Sequence, residues 1–318
     1  MDEQNRKRVS IVVPTYNEEE NVAPLAEALR EQMNALAAYD YEILFIDNAS
    51  TDATREKIEA LCAADPRVKA IFNVCNFGQF RSPYHGLCAA EGDCAILLCA
   101  DFQDPVELIP ALLEKWEQGH KVVCAVKTRS AENPLKRLVR TCYYKLLCAA
   151  SSVRQIEHFT GFGLYDHSFL EVLRQRRDPE PYLRGIVAEL APSPALVPYK
   201  QPRRRAGKSH NRLSTLYDAA MLGFTSYAKA PVRLMMCLGV IFLLAALTGG
   251  VFSLVLGLSG RLPLWLPILS AIGFFGALDM IFLSIVGEYV LAAARERRAG
   301  EPLVIEERRL NFDGDARE

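Results

Sequence analysis

The chain has 318 residues, half of them hydrophobic, and its 37 basic and 38 acidic side chains leave a formal net charge of -1. That balance excludes a general nucleic-acid binder, which needs a cationic surface, and the length admits one large or two small domains. The nine cysteines are scattered without paired metal-ligand spacing, which predicts reduced thiols that mostly fill the core. Met1 to Arg8 is polar and charged, and Val9 to Pro14 is too short an apolar run for a signal peptide.

In chain order, Val9 to Val13 is a β-branched run broken by Pro14-Thr15-Tyr16-Asn17, and an amphipathic helix is expected from about Glu19 to Ala37. Tyr41 to Ile46 reads as a second buried strand that stops at Asp47-Asn48-Ala49-Ser50-Thr51-Asp52. A helix to about Ala63, a strand near Val68 to Phe72, the loop Asn76-Phe77-Gly78-Gln79 and a helix through His85 to Ala90 follow. The apolar run from Cys94 then fits a central strand buried on both faces, ending at Asp101-Phe102-Gln103-Asp104. This alternation implies an α/β fold with a mostly parallel, doubly wound sheet. No Gly-rich dinucleotide fingerprint or phosphate loop follows the first strand.

Open α/β sheets hold ligands at the carboxyl edge of their strands. Three polar clusters would converge there: Asn17 with Glu18, Asp47 through Asp52, and Asp101 with Gln103. In an extended chain Asp101 and Gln103 face the same way, a geometry suited to a hard divalent cation on a diphosphate. Asp104, followed by Pro105 and Glu107, reads as a helix N-cap. Each cluster alone also fits a turn or a cap; together they point to a nucleotide-sugar site.

Val122 to Val126 reads as another strand, followed by Lys127 and Arg129. Asn133-Pro134 then caps a helix whose apolar stripe from Leu135 to Leu147 is flanked by Lys136, Arg137 and Arg140. Such a helix suits either an anionic membrane surface, where its cations would hold a lipid phosphate, or a core with a solvated face. Arg203 through Ser209, with Arg204 and Lys208, has the composition either of a loop that closes over a diphosphate or of a juxtamembrane charge anchor.

Leu213 to Ala230 predicts interfacial helices. Leu234 to Leu258 and Leu262 to Val286 are long enough, at ~1.5 Å per residue, to cross the ~30 Å hydrocarbon layer of a bilayer. The organisation expected is a nucleotide-sugar-binding domain over 1–212, interfacial helices over 213–232, a transmembrane hairpin over 233–287 (spans about 234–258 and 264–286), and a tail over 288–318. Basic residues flank the outer ends of both spans, which predicts cytoplasmic termini and catalytic domain. Asp279, costly in lipid, predicts a helix contact such as a homo-oligomer interface.

The segments Pro14-Thr15-Tyr16-Asn17-Glu18, Asp47 through Asp52, Asn76-Phe77-Gly78, Asp101-Phe102-Gln103-Asp104-Pro105 and Gly287-Glu288-Tyr289 resemble the inverting, metal-dependent polyprenyl-phosphate glycosyltransferases. That family includes dolichyl-phosphate mannose synthase and the bactoprenol glucosyltransferases, and the resemblance covers nearly the whole chain. It implies a GT-A-like domain that moves a hexose from a nucleotide donor, UDP-glucose rather than GDP-mannose, to polyprenyl phosphate. By that resemblance Pro14, Tyr16, Glu18, Asp47 and Asp52 would surround the nucleoside with Asn17, Asn48, Gly78 and Gln79. Asp101 and Gln103 would hold Mg²⁺ or Mn²⁺, and Arg204 and Lys208 would meet the diphosphate.

Lys127, Arg129 and Arg137 are expected to aim the lipid phosphate, and Asp104 to stand beside the chemistry. Three positions depart from the family: Cys99 and Asn48 where Asp is usual, and Thr160-Gly161-Phe162-Gly163 where it has Gly-Asp-Phe-Arg. A neutral thiol is a poor ligand for a hard cation. The departures motivate an alternative, a weakly catalytic nucleotide-sugar-binding scaffold subunit. A processive polysaccharide synthase is disfavoured, since neither Trp116 nor Trp265 stands in a Gln-x-x-Arg-Trp motif.

Overall fold

The computed structural model describes residues 6–129, 156–176, 181–191, 193–202, 204–205, 230–260, 263–296 and 304–312. Its strands are β1 (Lys7–Thr15), β2 (Tyr39–Asp47), β3 (Val68–Asn73), β4 (Cys94–Leu97), β5 (Val122–Arg129), β6 (Phe159–Asp166), β7 (Ala195–Lys200) and β8 (Glu306–Leu310). The helices are α1 (Val22–Asn34), α2 (Thr54–Ala64), α3 (Gly78–Ala89), α4 (Ile109–Glu117), α5 (His167–Arg176), α6 (Leu183–Leu190), α7 (Ala230–Leu258) and α8 (Trp265–Glu296). They divide into two compact units, one built on the sheet and one on the two long helices.

The strands form one sheet in the order β7-β5-β6-β4-β1-β2-β3-β8. Alternation along β1 and β2 explains its layering, because successive side chains point to opposite faces. Val9, Ile11, Val13, Ile43 and Phe45 join one core with α1, α2 and α4. Val12, Leu44 and Ile46 join the other with α3, α5 and α6. With both faces covered, β2 and β3 read as near-continuous apolar runs.

The sheet is mostly parallel, as the alternation implied, with β5 and β7 also pairing in parallel and only β6 and β8 running against the other strands. β4, β1, β2 and β3 are parallel neighbours, whereas β6 runs antiparallel to both β4 and β5, and β8 antiparallel to β3. Nothing in β6, β7 or β8 was expected as a strand. The residues read as part of a plain tail supply β8, which pairs Ala70 with Leu310 and Phe72 with Arg308.

In the second unit, Val232–Leu258 and Trp265–Val290 are long and apolar enough to cross a membrane. Their contact is made by small residues seven apart: Ala246 and Ser253 on α7, and Ala277 and Ser284 on α8, are buried. A Cβ at Gly249 would stand 2.7 Å from Ser270 Oγ, and one at Gly239 2.9 Å from Ile281 Cγ1. Small side chains of this kind allow helix backbones to approach where lipid supplies no hydrophobic drive. Asp279 is exposed on the surface of this helix pair.

Candidate active site

The carboxyl ends of the four parallel strands open onto a cleft of about 450 Å³. Behind β1 it is lined by Pro14, Thr15, Tyr16 and Glu18; behind β2 by Asn48; behind β3 by Asn76, Gly78 and Gln79; and behind β4 by Cys99, Ala100, Asp101 and Gln103, with Arg204 above. Three turns at this edge hold non-glycine residues in the left-handed region: Asn17 at φ 55°, Ala49 at 60° and Phe102 at 59°. Strained backbone of this sort persists where its surroundings over-determine it, commonly at ligand sites.

Phe102 corrects one expectation. The chain does not stay extended after β4 but turns, so that Asp101 Oδ1 accepts from the Gln103 N–H at 3.1 Å. Both side chains still line the cleft. The segment after β7 crosses this turn: Gln201 Nε2 donates to Gln103 Oε1 at 3.2 Å, the Arg205 N–H to the Asp101 carbonyl at 3.4 Å, and the Arg205 guanidinium lies 5.0 Å from the Phe102 ring.

Charge concentrates around Arg204. It donates to Glu18, and its Nε stands 3.5 Å from Asp101 Oδ2. Desolvation raises the Glu18 carboxyl above its ordinary value, against the lowering effects of Asn21 and Arg204. Desolvation, then the charges of Asp104 and Asp101, push the Cys99 thiol well above its usual range and keep it neutral. Among the described residues no three His, Cys, Asp or Glu side chains gather into a closed metal site. The Asp101 carboxylate, which lines the cleft, nevertheless fits a hard cation that takes its other ligands from phosphate oxygens and water.

Several expected site residues are not among those that line the cleft. Asp47 is fully buried and accepts from the Ser50 N–H at 3.1 Å and Arg55 Nε at 2.9 Å. Asp52 accepts from the Thr54 N–H at 3.0 Å and the Glu19 N–H at 3.3 Å, and Asn17 Oδ1 from the Thr51 N–H at 2.8 Å. These groups shape the turns, and contact between them and a nucleoside stays a proposal.

Asp104 is not a helix cap. A short 3-10 turn over Val106–Leu108 precedes α4, and the Asp104 side chain instead accepts from the Cys99 N–H at 3.0 Å and the Tyr199 hydroxyl at 3.0 Å. Desolvation raises its carboxyl, with Lys127 on β5 the main opposing charge. Arg129 ends β5, and its side chain, like Arg137 and Lys208, lies outside the described residues.

Sequence reasoning missed Tyr199, which carries no motif signal, and left Asn76 inside a loop motif without a role. It also read Gly161 and Gly163 as losses. Gly161 has φ 108°, and a Cβ on Gly163 would lie 2.3 Å from the Val123 carbonyl oxygen, so this backbone is built for glycine at both positions.

Residues 10–170, just over half the chain, match glycosyl transferase family 2. The chain belongs to that family. Among curated family members, the prophage bactoprenol glucosyl transferase homolog of Escherichia coli (strain K12) is 31% identical over 89% of this chain and 93% of its own. The bactoprenol glucosyl transferase of Shigella phage SfV is also 31% identical over 89% and 93% of the two chains. Of solved structures, glucosyl-3-phosphoglycerate synthase from Mycobacterium tuberculosis, in complex with Mn²⁺, UDP and phosphoglyceric acid, superposes with a TM-score of 0.50 at 18% identity over 69% of this chain and 76% of that one. That likeness shows a shared GT-A-like fold for the sheet unit of this family 2 member.

Proposed function

We propose that this glycosyltransferase moves a hexose, with inversion, from a UDP-sugar, UDP-glucose first among candidates, to a polyprenyl phosphate at the cytoplasmic membrane face. The observation that carries the reading is one cleft that joins Asp101, Gln103 and Arg204 to Asn48 and Gly78, on a chain that also carries two membrane-length helices. The curated relatives named for bactoprenol glucosyl transfer support the lipid acceptor.

Asp101, with Gln103, is the group that would hold Mg²⁺ or Mn²⁺, which when bound offsets charge on the leaving diphosphate. Arg204 is placed to exchange its carboxylate partners for phosphate oxygens, since guanidinium binds either geometry. The acceptor phosphate oxygen forms its bond to the anomeric carbon as the bond to the diphosphate breaks, and UDP departs with the electron pair. With a second pKa of about 6, a phosphate monoester needs no base at neutral pH. Lys127, Arg129 and Arg137 are the cations proposed to aim it. The burial of Asp104 beneath the cleft supports a reaction without a side-chain base.

The test is incubation of the detergent-solubilised protein with Mn²⁺, labelled UDP-glucose or GDP-mannose, and polyprenyl phosphate. Formation of a lipid-linked sugar from the UDP donor is expected. No product with any donor would select the nucleotide-sugar-binding scaffold instead.

A further inference from the structure

Three asparagines at the far end of the cleft form a hydrogen-bonded ladder whose polarity is fixed. Asn48 Oδ1 accepts from the Phe77 N–H at 2.9 Å and from Asn73 Nδ2 at 3.2 Å. Asn48 Nδ2 donates to Asn76 Oδ1 at 2.8 Å and to the Gly78 carbonyl at 3.4 Å. Asn76 Oδ1 also accepts from the Gly78 N–H at 2.8 Å. A backbone N–H can only donate, so Phe77 orients the Asn48 amide and Gly78 orients the Asn76 amide. Two donors and two acceptor sites of Asn48 are then all engaged, and Asn48 has nothing left to offer a ligand. The Asn76 oxygen is doubly used, which leaves its Nδ2 as the one amide donor of the Asn48–Asn76 pair not spent within the ladder, on a residue that lines the cleft.

Strand order says what would meet that group. From β4, which leads into Asp101, to β3, which leads into Asn76, the sheet runs β4-β1-β2-β3, three intervals of about 4.8 Å or roughly 14 Å in all. A nucleoside diphosphate laid across the strand ends with its phosphates at Asp101 therefore brings its base to the Asn48 and Asn76 end. We infer that Asn76 is a specificity-determining residue, held by Asn48 as a positioning residue, whose amide N–H donates to an exocyclic carbonyl of the base and so selects uracil-type over cytosine-type nucleotides. This rests on the nucleotide-sugar reading above.

Asn76→Asp is the discriminating variant. One carboxylate oxygen keeps the bonds from Gly78 and Asn48, while the other turns the group facing the base from donor into acceptor. UDP and CDP carry the same diphosphate, so the added charge weakens both alike, and their ratio isolates the base contact. Titrating UDP and CDP into the full-length protein in detergent with Mg²⁺, the wild type is expected to favour UDP by about tenfold, the value of one well-placed hydrogen bond. Asn76→Asp should reverse the preference, and Asn48→Ala, which removes one of the two donors that hold the Asn76 oxygen, should shrink it without reversing it. A ratio unchanged by Asn76→Asp overturns the assignment. Failure of the wild type to bind either nucleotide overturns the nucleotide-sugar reading itself, a separate outcome.

Discussion

The hydroxyl of Tyr199 donates to Asp104 at 3.0 Å, joining β7 to the turn that follows β4. Because the Cys99 N–H uses the other carboxylate oxygen, Asp104 is occupied as a bracket for the cleft floor. An asparagine can reproduce both contacts, with its oxygen on Cys99 and its amide donating to Tyr199. Asp104→Asn is therefore expected to keep most of its turnover. Asp104→Ala should lower stability by on the order of 2 kcal/mol by stranding two buried donors. Turnover and melting of both variants check this; loss of turnover in Asp104→Asn with donor binding intact would make Asp104 the base.

Asp101 stands in the opposite position, facing the cleft beside Arg204. Asp101→Ala should abolish transfer at saturating Mn²⁺ while the protein stays folded by circular dichroism. Near-normal turnover in that variant is the result that removes the metal assignment.

Asp166 gives a pH dependence of stability. Burial acts to raise its carboxyl, but hydrogen bonds from Ser168, Trp116 and Lys121 overcome this and hold it at about 2 against an ordinary 3.8. A carboxyl lowered by folding contributes stability that is present above the unfolded value and lost as pH falls through the folded one. Thermal melts followed by Trp116 fluorescence in a Trp265→Phe background should fall between about pH 4 and pH 2. With Asp166→Asn they should be lower at pH 6 and flatter through that window.

Restoring the family residues at Gly161 and Gly163 should not restore anything. Gly161→Asp places a side chain at φ 108°, and Gly163→Arg drives a Cβ against the Val123 carbonyl. Each is expected to destabilise the sheet by ~1–3 kcal/mol. A gain in transfer rate from either variant would show that the glycines are losses after all.

Membrane orientation is tested with two single-cysteine proteins. One keeps only the exposed natural Cys75 of the sheet unit, and the other carries Ser259→Cys between the long helices. In sealed inverted vesicles an impermeant maleimide should label position 75 and spare position 259. The reverse pattern would put the donor cleft on the side away from nucleotide sugars.

Strands β1 to β4 were legible because they are buried on both faces and spell near-continuous apolar runs, broken only by Ser10, Glu42 and Lys69 within Val9 to Val13, Tyr41 to Ile46 and Val68 to Phe72. The two long helices were legible by length alone. β7 and β8 were not: alternate residues of β7 are exposed, and β8 is Glu-Glu-Arg-Arg-Leu, held by edge pairing and ion pairs that no hydropathy pattern records. At the cleft, motif residues were found, but their roles divided by a criterion invisible in one dimension. Asn48 and Asp101 reach the cavity, while Asp47 and Asp52, only a few positions away, turn inward to hold the loops.

β8 belongs to the sheet although the chain reaches it only after both long helices. Its Glu307 pairs with Arg55 at 2.7 Å, Arg55 holds Asp47, and its Glu306 meets His85 on α3. During synthesis β3 is therefore left as an open edge until the segment beyond both long helices has been made. Completion of the sheet thereby follows synthesis of the hairpin, and a nascent chain arrested between the helices would carry the cleft without its outer brace.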